Sequence, residues 1–265
     1  MHEHVIESLG HRRPAASVIA ECLRLQATVP PNNAMQRFFG VSPLGREAEP
    51  WYVGALGELE VARRLSILGP GWYVLHSVPV GTGSSDLDHV LIGPAGVFTI
   101  NTKHHRGQNV WVGGRRILVN GQRTEHLRNA KYEAKRTSKL LSVAARALID
   151  ADPIIAIVGA KRMTVRERPT DVAVLRDSEL VRWLQRHPIT LTSDQVQEIA
   201  ALAAQPATWK RTPETEVVDH AEFDRLYGEI ARAGRRRRGW AFIVAASMPV
   251  AFLFGWLTLL GALAR

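Results

Sequence analysis

Cysteine is nearly absent from this sequence, and the N-terminus lacks a long apolar segment. Cys22 is the single cysteine among 265 residues. One thiol excludes an internal disulfide framework, and scarce cysteine is typical of proteins in a reducing compartment. Residues 1–17 contain no apolar stretch of the length that a signal peptide requires. Nothing in the sequence therefore indicates export of the N-terminus.

Charge is absent from the C-terminal segment 239–264, which reads GWAFIVAASMPVAFLFGWLTLLGALA. As a helix that rises about 1.5 Å per residue, it would reach roughly 39 Å, more than a hydrocarbon core of about 30 Å. Pro249 would disturb a soluble helix, but transmembrane helices tolerate such residues. A buried core helix is the alternative, although it rarely runs so long without a polar face. The segment therefore predicts one transmembrane helix.

Arginine is concentrated on one side of this segment. Arg232 and the run 235–238 precede it, and only Arg265 follows it. Positive residues stay on the cytoplasmic side of a membrane, so we expect a single-pass protein with residues 1–238 in the cytoplasm. These arginines carry six of the nine net positive charges and contribute much of the pI of 10.3. Anionic lipid explains most of this charge, so the charge indicates little about nucleic acid.

The rest of the chain alternates helical and strand patterns, which predicts a mixed α/β layer structure. Residues 1–50 read as an N-terminal appendage, 51–205 as the main domain with a C-terminal helical extension, and 206–238 as a polar, arginine-rich linker. The predicted helices are 15–26, 51–68, 129–149, 178–185 and 193–204, and the predicted strands are 72–80, 86–92, 97–103, 110–112, 117–119, 153–159 and 172–175.

Glu58 is the first candidate for a functional residue. Helical spacing places it on one stripe with the apolar residues Val61, Ala62 and Leu65. A buried carboxylate without a partner costs several kcal/mol, so a carboxylate on an apolar stripe predicts a partner for it. The alternative is a residue at the rim of the core, paired with a neighbouring arginine at 63 or 64.

A second polar group lies at one end of the predicted hairpin 86–103. If the hairpin is symmetric about Pro94 and Ala95, Asp88 lies opposite Asn101 and Asp86 opposite Lys103. Alternation then places these four side chains on one face of the sheet, beside apolar neighbours. The alternative is an ordinary Asp–Lys ion pair at a strand end, and a bulge would turn the side chains to the other face.

Three segments in order resemble the nuclease-related domain family, known as NERD. They are the GxxGE pattern at 54–58, WYVLHSV at 72–78 and DLDHVLIGPAGVFTINTK at 86–103, and the resemblance extends from about 51 to 149. It implies the restriction-endonuclease-like core of the PD-(D/E)XK nucleases, a mixed central sheet flanked by helices. Glu58, Asp88 and Lys103 match the family's helix glutamate, hairpin aspartate and lysine. Asn101 stands where the wider superfamily often has an acid.

The resemblance implies a metal-dependent phosphodiesterase. Oxygen ligands from Glu58, Asp88 and Asn101 would hold Mg²⁺ or Mn²⁺, which polarises a phosphate and lowers the pKa of an attacking water. Lys103 would orient that water or stabilise developing negative charge. Because Asn101 supplies a neutral amide oxygen instead of a carboxylate, we expect weaker metal binding.

Lys131, Lys135 and Lys139 recur every four residues along the predicted helix 129–149. Such a stripe could follow a DNA backbone, and the alternative is an ordinary solvated helix face. The histidines at 89, 104, 105 and 126 show no zinc-ligand spacing, so we interpret them as solvated or rim residues.

Two functions therefore remain open from the sequence. The first is a membrane-anchored nuclease that hydrolyses DNA with Mg²⁺ or Mn²⁺ on the cytosolic face of the bilayer. The second is a catalytically inactive module, tethered in the same way, that binds nucleic acid or serves as a scaffold for other proteins. Asn101 is the residue that favours the second.

The predicted membrane anchor can be tested by extraction. The full chain should pellet with membranes and resist alkaline carbonate, whereas a chain that ends at Ala233 should stay soluble. High salt distinguishes insertion from lipid electrostatics, because the Debye length falls to about 3 Å at 1 M and a basic surface is then screened. Release of the full chain by salt alone would contradict the prediction.

Overall fold

The structure is a computed structural model that describes residues 8–80, 86–209 and 218–263, with side chains up to Ser247 in the last range. The chain divides into two compact units. The first comprises Met1–Glu21 with Pro50–Val218, and the second comprises Cys22–Glu49 with Asp219–Arg265.

Helices and strands alternate along the described residues. The helices are α1 (Ala16–Gln26), α2 (Ala34–Phe39), α3 (Glu49–Leu65), α4 (His126–Ala145), α5 (Asp177–Gln185), α6 (Ser193–Ala203) and α7 (His220–Leu263). The strands are β1 (Tyr73–Pro79), β2 (Asp86–Gly93), β3 (Gly96–His104), β4 (Asn109–Gly113), β5 (Arg116–Val119), β6 (Gln122–Thr124), β7 (Ala151–Val158), β8 (Arg162–Val165) and β9 (Ala173–Arg176).

The main sheet lies in the first unit and has five strands in the order β1-β2-β3-β7-β9. The first three strands are antiparallel neighbours, whereas β7 and β9 run parallel to β3. Parallel neighbours need a long crossover, and α4 lies in the connection from β3 to β7. The predicted mixed α/β sheet flanked by helices is confirmed.

Apolar side chains alternate between the two faces of β2 and β3, and helices cover both faces. The core cluster on one face joins Val90, Ile92 and Val97 to Leu140 and Leu141 of α4 and to Val196 and Ile199 of α6. The cluster on the other face joins Leu91, Phe98 and Ile100 to Val61 and Leu65 of α3 and to Leu180 and Leu184 of α5.

A second sheet, of four strands in the order β6-β5-β4-β8, was not expected from the sequence. Only β4 and β5 were predicted. The two missed strands are short: β6 is QRT, three residues without an apolar side chain, and β8 is RMTV, only four residues. Segments this short carry little periodicity, so their strand form depends on pairing with β5 and β4.

The long helix begins and ends earlier than predicted. It was expected at 129–149, but α4 spans His126–Ala145. Arg146 adopts a left-handed conformation with φ of 52°, which ends the helix. The hydroxyl of Ser142 then accepts the N–H of Ile149 and donates to its carbonyl oxygen. The four residues after Ala145 therefore lead from the helix toward β7.

The predicted transmembrane segment falls mainly on residues without described side chains. The segment 239–264 overlaps α7, but the residues from 248 onward lie outside the part of the chain whose side chains are described. Within the described residues, no helix has both the length and the apolar character needed to cross a bilayer. The transmembrane helix therefore stays a prediction.

The close approach of α3 to β3 depends on Gly57. A Cβ at this position would lie 3.0 Å from the Cβ of His104 and 3.2 Å from Cγ2 of Thr102. We expect Gly57→Val to reduce the free energy of unfolding by about 1–3 kcal/mol, because the added atoms overpack this contact. Urea denaturation measures the change.

Gly54 in the same helix provides the control. A Cβ there meets no described atom within 4 Å. Gly54→Ala should stabilise the protein by up to about 1 kcal/mol, because alanine favours a helix over glycine. Equal losses in both variants would show that the contact with β3 is not the cause.

Candidate functional site

The main sheet opens at one end between β2 and β3. The two strands pair from their turn as far as His89 and Ile100, in the register that the sequence predicts. Beyond that point β2 stays paired with β1 as far as Asp86, and β3 stays paired with β7 as far as His104. Beyond His89 and Ile100, β2 therefore stays paired with β1 and β3 with β7, while β2 and β3 no longer pair with each other.

Asp88 lies where the strands separate. Its Oδ2 accepts the backbone N–H of Thr102 at 2.6 Å. Both strands are described in full, and the predicted pairing of Asp88 with Asn101 and of Asp86 with Lys103 is not among their pairs. Continuous pairing was the wrong expectation, because the side chain of Asp88 takes the place of a strand partner here.

Glu58 faces the interior from α3, with 7% of its surface exposed. The neighbouring arginines pair with Glu60 instead, at 2.6 Å for Arg63 and 2.9 Å for Arg64. The alternative of a rim glutamate paired with an arginine is therefore wrong for Glu58. Neither neighbouring arginine pairs with the Glu58 carboxylate, which faces the opening between β2 and β3 instead.

The charges at the opening act on one another. Burial raises the pKa of Glu58 well above its ordinary value, the charge of Asp88 raises it further, and Lys103 lowers it. Burial likewise raises the pKa of Asp88, while Lys103 and the N–H of Thr102 lower it. Both carboxyl groups and the lysine thus share one electrostatic environment. Three of the four predicted site residues are brought together in this way.

Asn101 is the fourth predicted residue, and it binds a residue that the sequence did not indicate. Its Nδ2 donates to both carboxylate oxygens of Glu133 in α4, at 2.7 and 2.8 Å. Burial raises the pKa of Glu133 to about 7, the hydrogen bond from Asn101 opposes this rise, and the charge of Asp88 adds to it. Glu133 therefore belongs to the same cluster as Asn101 and Asp88.

The chemistry of Glu133 determines how the Asn101 amide is oriented. An ionised carboxylate only accepts hydrogen bonds, so toward the ionised form of Glu133 the amide presents its NH₂ group and turns its oxygen away. Among the described residues, this buried Oδ1 has no hydrogen-bond partner. A buried acceptor without a partner costs about 1–3 kcal/mol, so the geometry suits a ligand at this oxygen.

These donors fit a hard divalent cation. The site combines carboxylates of Glu58 and Asp88 with the unpartnered amide oxygen of Asn101, and Mg²⁺ and Mn²⁺ prefer oxygen ligands. In the part of the chain that the structure describes, no group of three or more His, Cys, Asp or Glu side chains is placed to hold a metal ion. The fit therefore depends on the amide of Asn101.

Residues 12–17, which lead into the first turn of α1, also reach the site. Arg12 forms an ion pair with Asp86 at 3.2 Å, and Ser17 donates a hydrogen bond to the same carboxylate. The backbone of Ala15 donates to Glu58, which lowers the pKa of that carboxyl. Asp86 thus binds the N-terminal segment. Nothing in the composition of this segment indicates these contacts, because they join residues far apart in sequence.

The histidines form pairs. Nδ1 of His76 lies 2.8 Å from Nδ1 of His89, and Nε2 of His105 lies 3.2 Å from Nε2 of His126. Burial lowers the pKa of His76 to about 4 and that of His89 well below its ordinary value. The interpretation as solvated or rim residues is wrong for His89, which is fully buried. Its pair with His76 is a neutral structural contact.

The three lysines predicted to contact nucleic acid are exposed on α4. The ammonium of Lys131 forms an ion pair with Asp171 at 2.7 Å. Lys135 and Lys139 continue the stripe on the same helix face. Their contact with DNA stays a prediction.

Comparison with known proteins identifies the class of this domain. Residues 53–158 match the model of the nuclease-related domain family, and the general kind of fold in that family is PD-(D/E)XK-like. The matched range contains Glu58, Asp88, Asn101, Lys103 and Glu133.

One relative is an uncharacterized protein of Bacillus anthracis. It is 42% identical to this chain over 69 residues, which cover 24% of this chain and 31% of the relative. The chain thus spans less than a third of that protein's length. No solved structure matches the chain.

The pKa of Glu133 predicts a pH dependence of stability. The folded-state pKa of about 7 lies above the ordinary value of 4.5, so the folded protein holds this proton more tightly. The resulting stability is fully present below about pH 4.5 and is lost as the pH rises to about 7. We expect urea denaturation in the presence of a chelator to show a loss on the order of 2–3 kcal/mol from this group.

Glu133→Gln removes the titrating group and keeps an acceptor for Asn101. Glu58 and Asp88 shift in the same direction, so some pH dependence should remain in this variant. The difference between the two proteins is therefore the diagnostic quantity. Parallel stability curves between pH 4.5 and 7 would contradict the prediction.

Proposed function

We propose that the chain is a nuclease that hydrolyses DNA phosphodiester bonds with Mg²⁺ or Mn²⁺. The observation that carries the proposal is the opening between β2 and β3, where Asp88 and Lys103 act electrostatically on Glu58. The match of residues 53–158 to the nuclease-related domain family supports the same class of function.

In this proposal Glu58, Asp88 and the Oδ1 of Asn101 hold the cation. When bound, the cation would polarise the phosphate and lower the pKa of a water molecule. The two buried carboxyl groups favour a bound cation, because burial and mutual repulsion disfavour their charged forms without one. Glu133 is a positioning residue, since it fixes which end of the Asn101 amide faces away from α4.

Lys103 is the proposed electrostatic catalyst. Its charge lowers the pKa of Glu58, Asp88 and Glu133. A cation at this place can orient the attacking water or stabilise the charge that develops on the phosphate oxygens. Lys103 would therefore be needed more for the chemical step than for metal binding.

Two further parts of the proposal concern what the protein binds. Lys135 and Lys139, with Lys131, would contact DNA phosphates from the exposed face of α4. The uncharged sequence 239–264 would insert into a membrane and leave the nuclease-related domain in the cytoplasm. Carbonate and salt extraction test the second part separately.

The second candidate function is an inactive module that binds nucleic acid or other proteins. It is favoured by the neutral Asn101 and by the lack, within the described residues, of a metal-binding group of three His, Cys, Asp or Glu side chains. The two candidates differ in one measurable property, which is the affinity for a divalent cation.

Calorimetric titration of the full chain with Mn²⁺ tests the proposal. We expect one binding event that Asp88→Asn abolishes and that Glu133→Gln weakens by roughly tenfold, as loss of a supporting contact does in other metal sites. Lys103→Ala should keep the metal and lose plasmid cleavage. Replacing Lys135 and Lys139 by glutamine should lower DNA affinity and leave Mn²⁺ binding unchanged.

Asp194→Asn is the matched control, because Asp194 is an exposed acid in the first turn of α6. It should bind Mn²⁺ as the unsubstituted chain does. The combined change Asn101→Asp and Glu133→Gln should strengthen binding, since a carboxylate replaces the amide and still has a donor opposite it. Undetectable Mn²⁺ binding by the unsubstituted chain would favour the inactive module.

A further inference from the structure

In the second unit, α2 packs directly on α7. The contact depends on Gly40, which follows α2 and has φ of 74°. A Cβ at Gly40 would lie 2.4 Å from the carbonyl oxygen of Ala233 and 2.6 Å from the amide nitrogen of Arg237. Glycine is therefore required twice, for its left-handed backbone and for the closeness of the two helices. The sequence at Gly40 therefore permits the close packing of α2 on α7.

The pairing of these helices assembles an aromatic cluster. The Trp240 ring lies 5.0 Å from the Phe38 ring and 5.4 Å from the Phe39 ring, measured between centroids. Its indole Nε1 donates to the carbonyl oxygen of Phe38 at 3.0 Å. The cluster therefore has both a ring contact and a polar contact that hold it together.

The rings of this cluster are not buried as core residues are. The exposed fraction is 57% for Phe38 and 48% for Phe39, and one turn beyond Trp240 on the same side of α7 it is 54% for Ile243 and 56% for Val244. Together with Trp240, these four residues form what we call the aromatic surface. Large apolar patches on a soluble protein mark a contact with a partner or a membrane.

Arginine lies immediately beside the aromatic surface. The run 235–238 is exposed, and Arg37 is exposed on α2. The guanidinium of Arg236 donates to the carbonyl oxygen of Arg37 at 2.9 Å, so the arginine run and α2 are joined. Apolar rings flanked by arginines match the boundary of an anionic bilayer, where rings enter the acyl region and cations meet headgroup phosphates.

We propose that the aromatic surface lies in the interfacial layer of an anionic lipid bilayer, with α2 as a second membrane contact beside α7. The residues of α2 come from a part of the chain about 200 positions away from Trp240, as the hydrogen bond between Phe38 and Trp240 shows. This contact is independent of the nuclease proposal. It also holds whether or not the segment 239–264 crosses the membrane.

An environment-sensitive fluorophore at position 38 tests the surface in the full chain. Phe38→Cys provides the attachment site, and the native Cys22 is fully buried and should stay unlabelled. With phosphatidylcholine vesicles that contain phosphatidylserine, we expect a blue shift of the emission and loss of quenching by aqueous iodide. Ile189→Cys, at a position that is 80% exposed in the first unit, is the control and should remain quenched.

Two glycine variants test whether α7 holds α2 in place. Gly40→Ala on the labelled chain should abolish the blue shift, because the added Cβ cannot fit against Ala233. Gly234→Ala should not, since a Cβ there meets no described atom within 4 Å. A shift that survives Gly40→Ala would overturn the joint surface.

Three other outcomes would overturn the proposal. The first is a probe at position 38 that stays accessible to iodide while the chain sediments with the vesicles. The second is an equal shift at positions 38 and 189. The third is a shift without vesicles that grows with protein concentration, which would mean that a second copy of the chain covers the aromatic surface.

Discussion

Where β2 leaves β3, the Asp88 carboxylate accepts the N–H of Thr102 in place of a strand partner. A buried N–H without an acceptor costs about 1–3 kcal/mol, so two strands inside a covered sheet do not separate freely. Asp88 supplies the acceptor from a side chain, so the Thr102 N–H keeps a hydrogen bond at the opening. The candidate site lies at this opening, beside the carboxyl group of Glu58.

The same opening concentrates negative charge. Glu58, Asp88 and Glu133 are largely buried, and Lys103 is the cation that acts on all three. Burial raises the pKa of each carboxyl group, and Asp88 raises the pKa of the other two. Protonation or a bound cation relieves this repulsion, and a cation would also give the Asn101 oxygen a partner. The electrostatics and the unsatisfied amide oxygen therefore favour the same kind of ligand.

Local patterns made part of this arrangement predictable. The turn at Pro94 and Ala95 sets the hairpin register, which is found as far as His89 and Ile100. The helical spacing of Glu58 put it on an apolar stripe with a rim position still open, and the structure has it buried. Both predictions rest on interactions within one helix or one hairpin. The outer strands β6 and β8 of the second sheet were missed because strands of three and four residues depend on partners elsewhere in the chain.

The sequence by itself determined the mixed α/β class, because helix and strand periodicity are visible over a few residues. The resemblance to the nuclease-related domain, with its four candidate residues, came from three motif segments in order. Only the tertiary structure decided their surroundings. Asn101 meets Glu133 across 32 positions, and Arg12 meets Asp86 across 74. Such pairs follow from how α4 and the N-terminal segment pack on the sheet, and no local pattern encodes that packing. The orientation of the Asn101 amide, on which the proposed chemistry depends, is therefore a property of the folded protein.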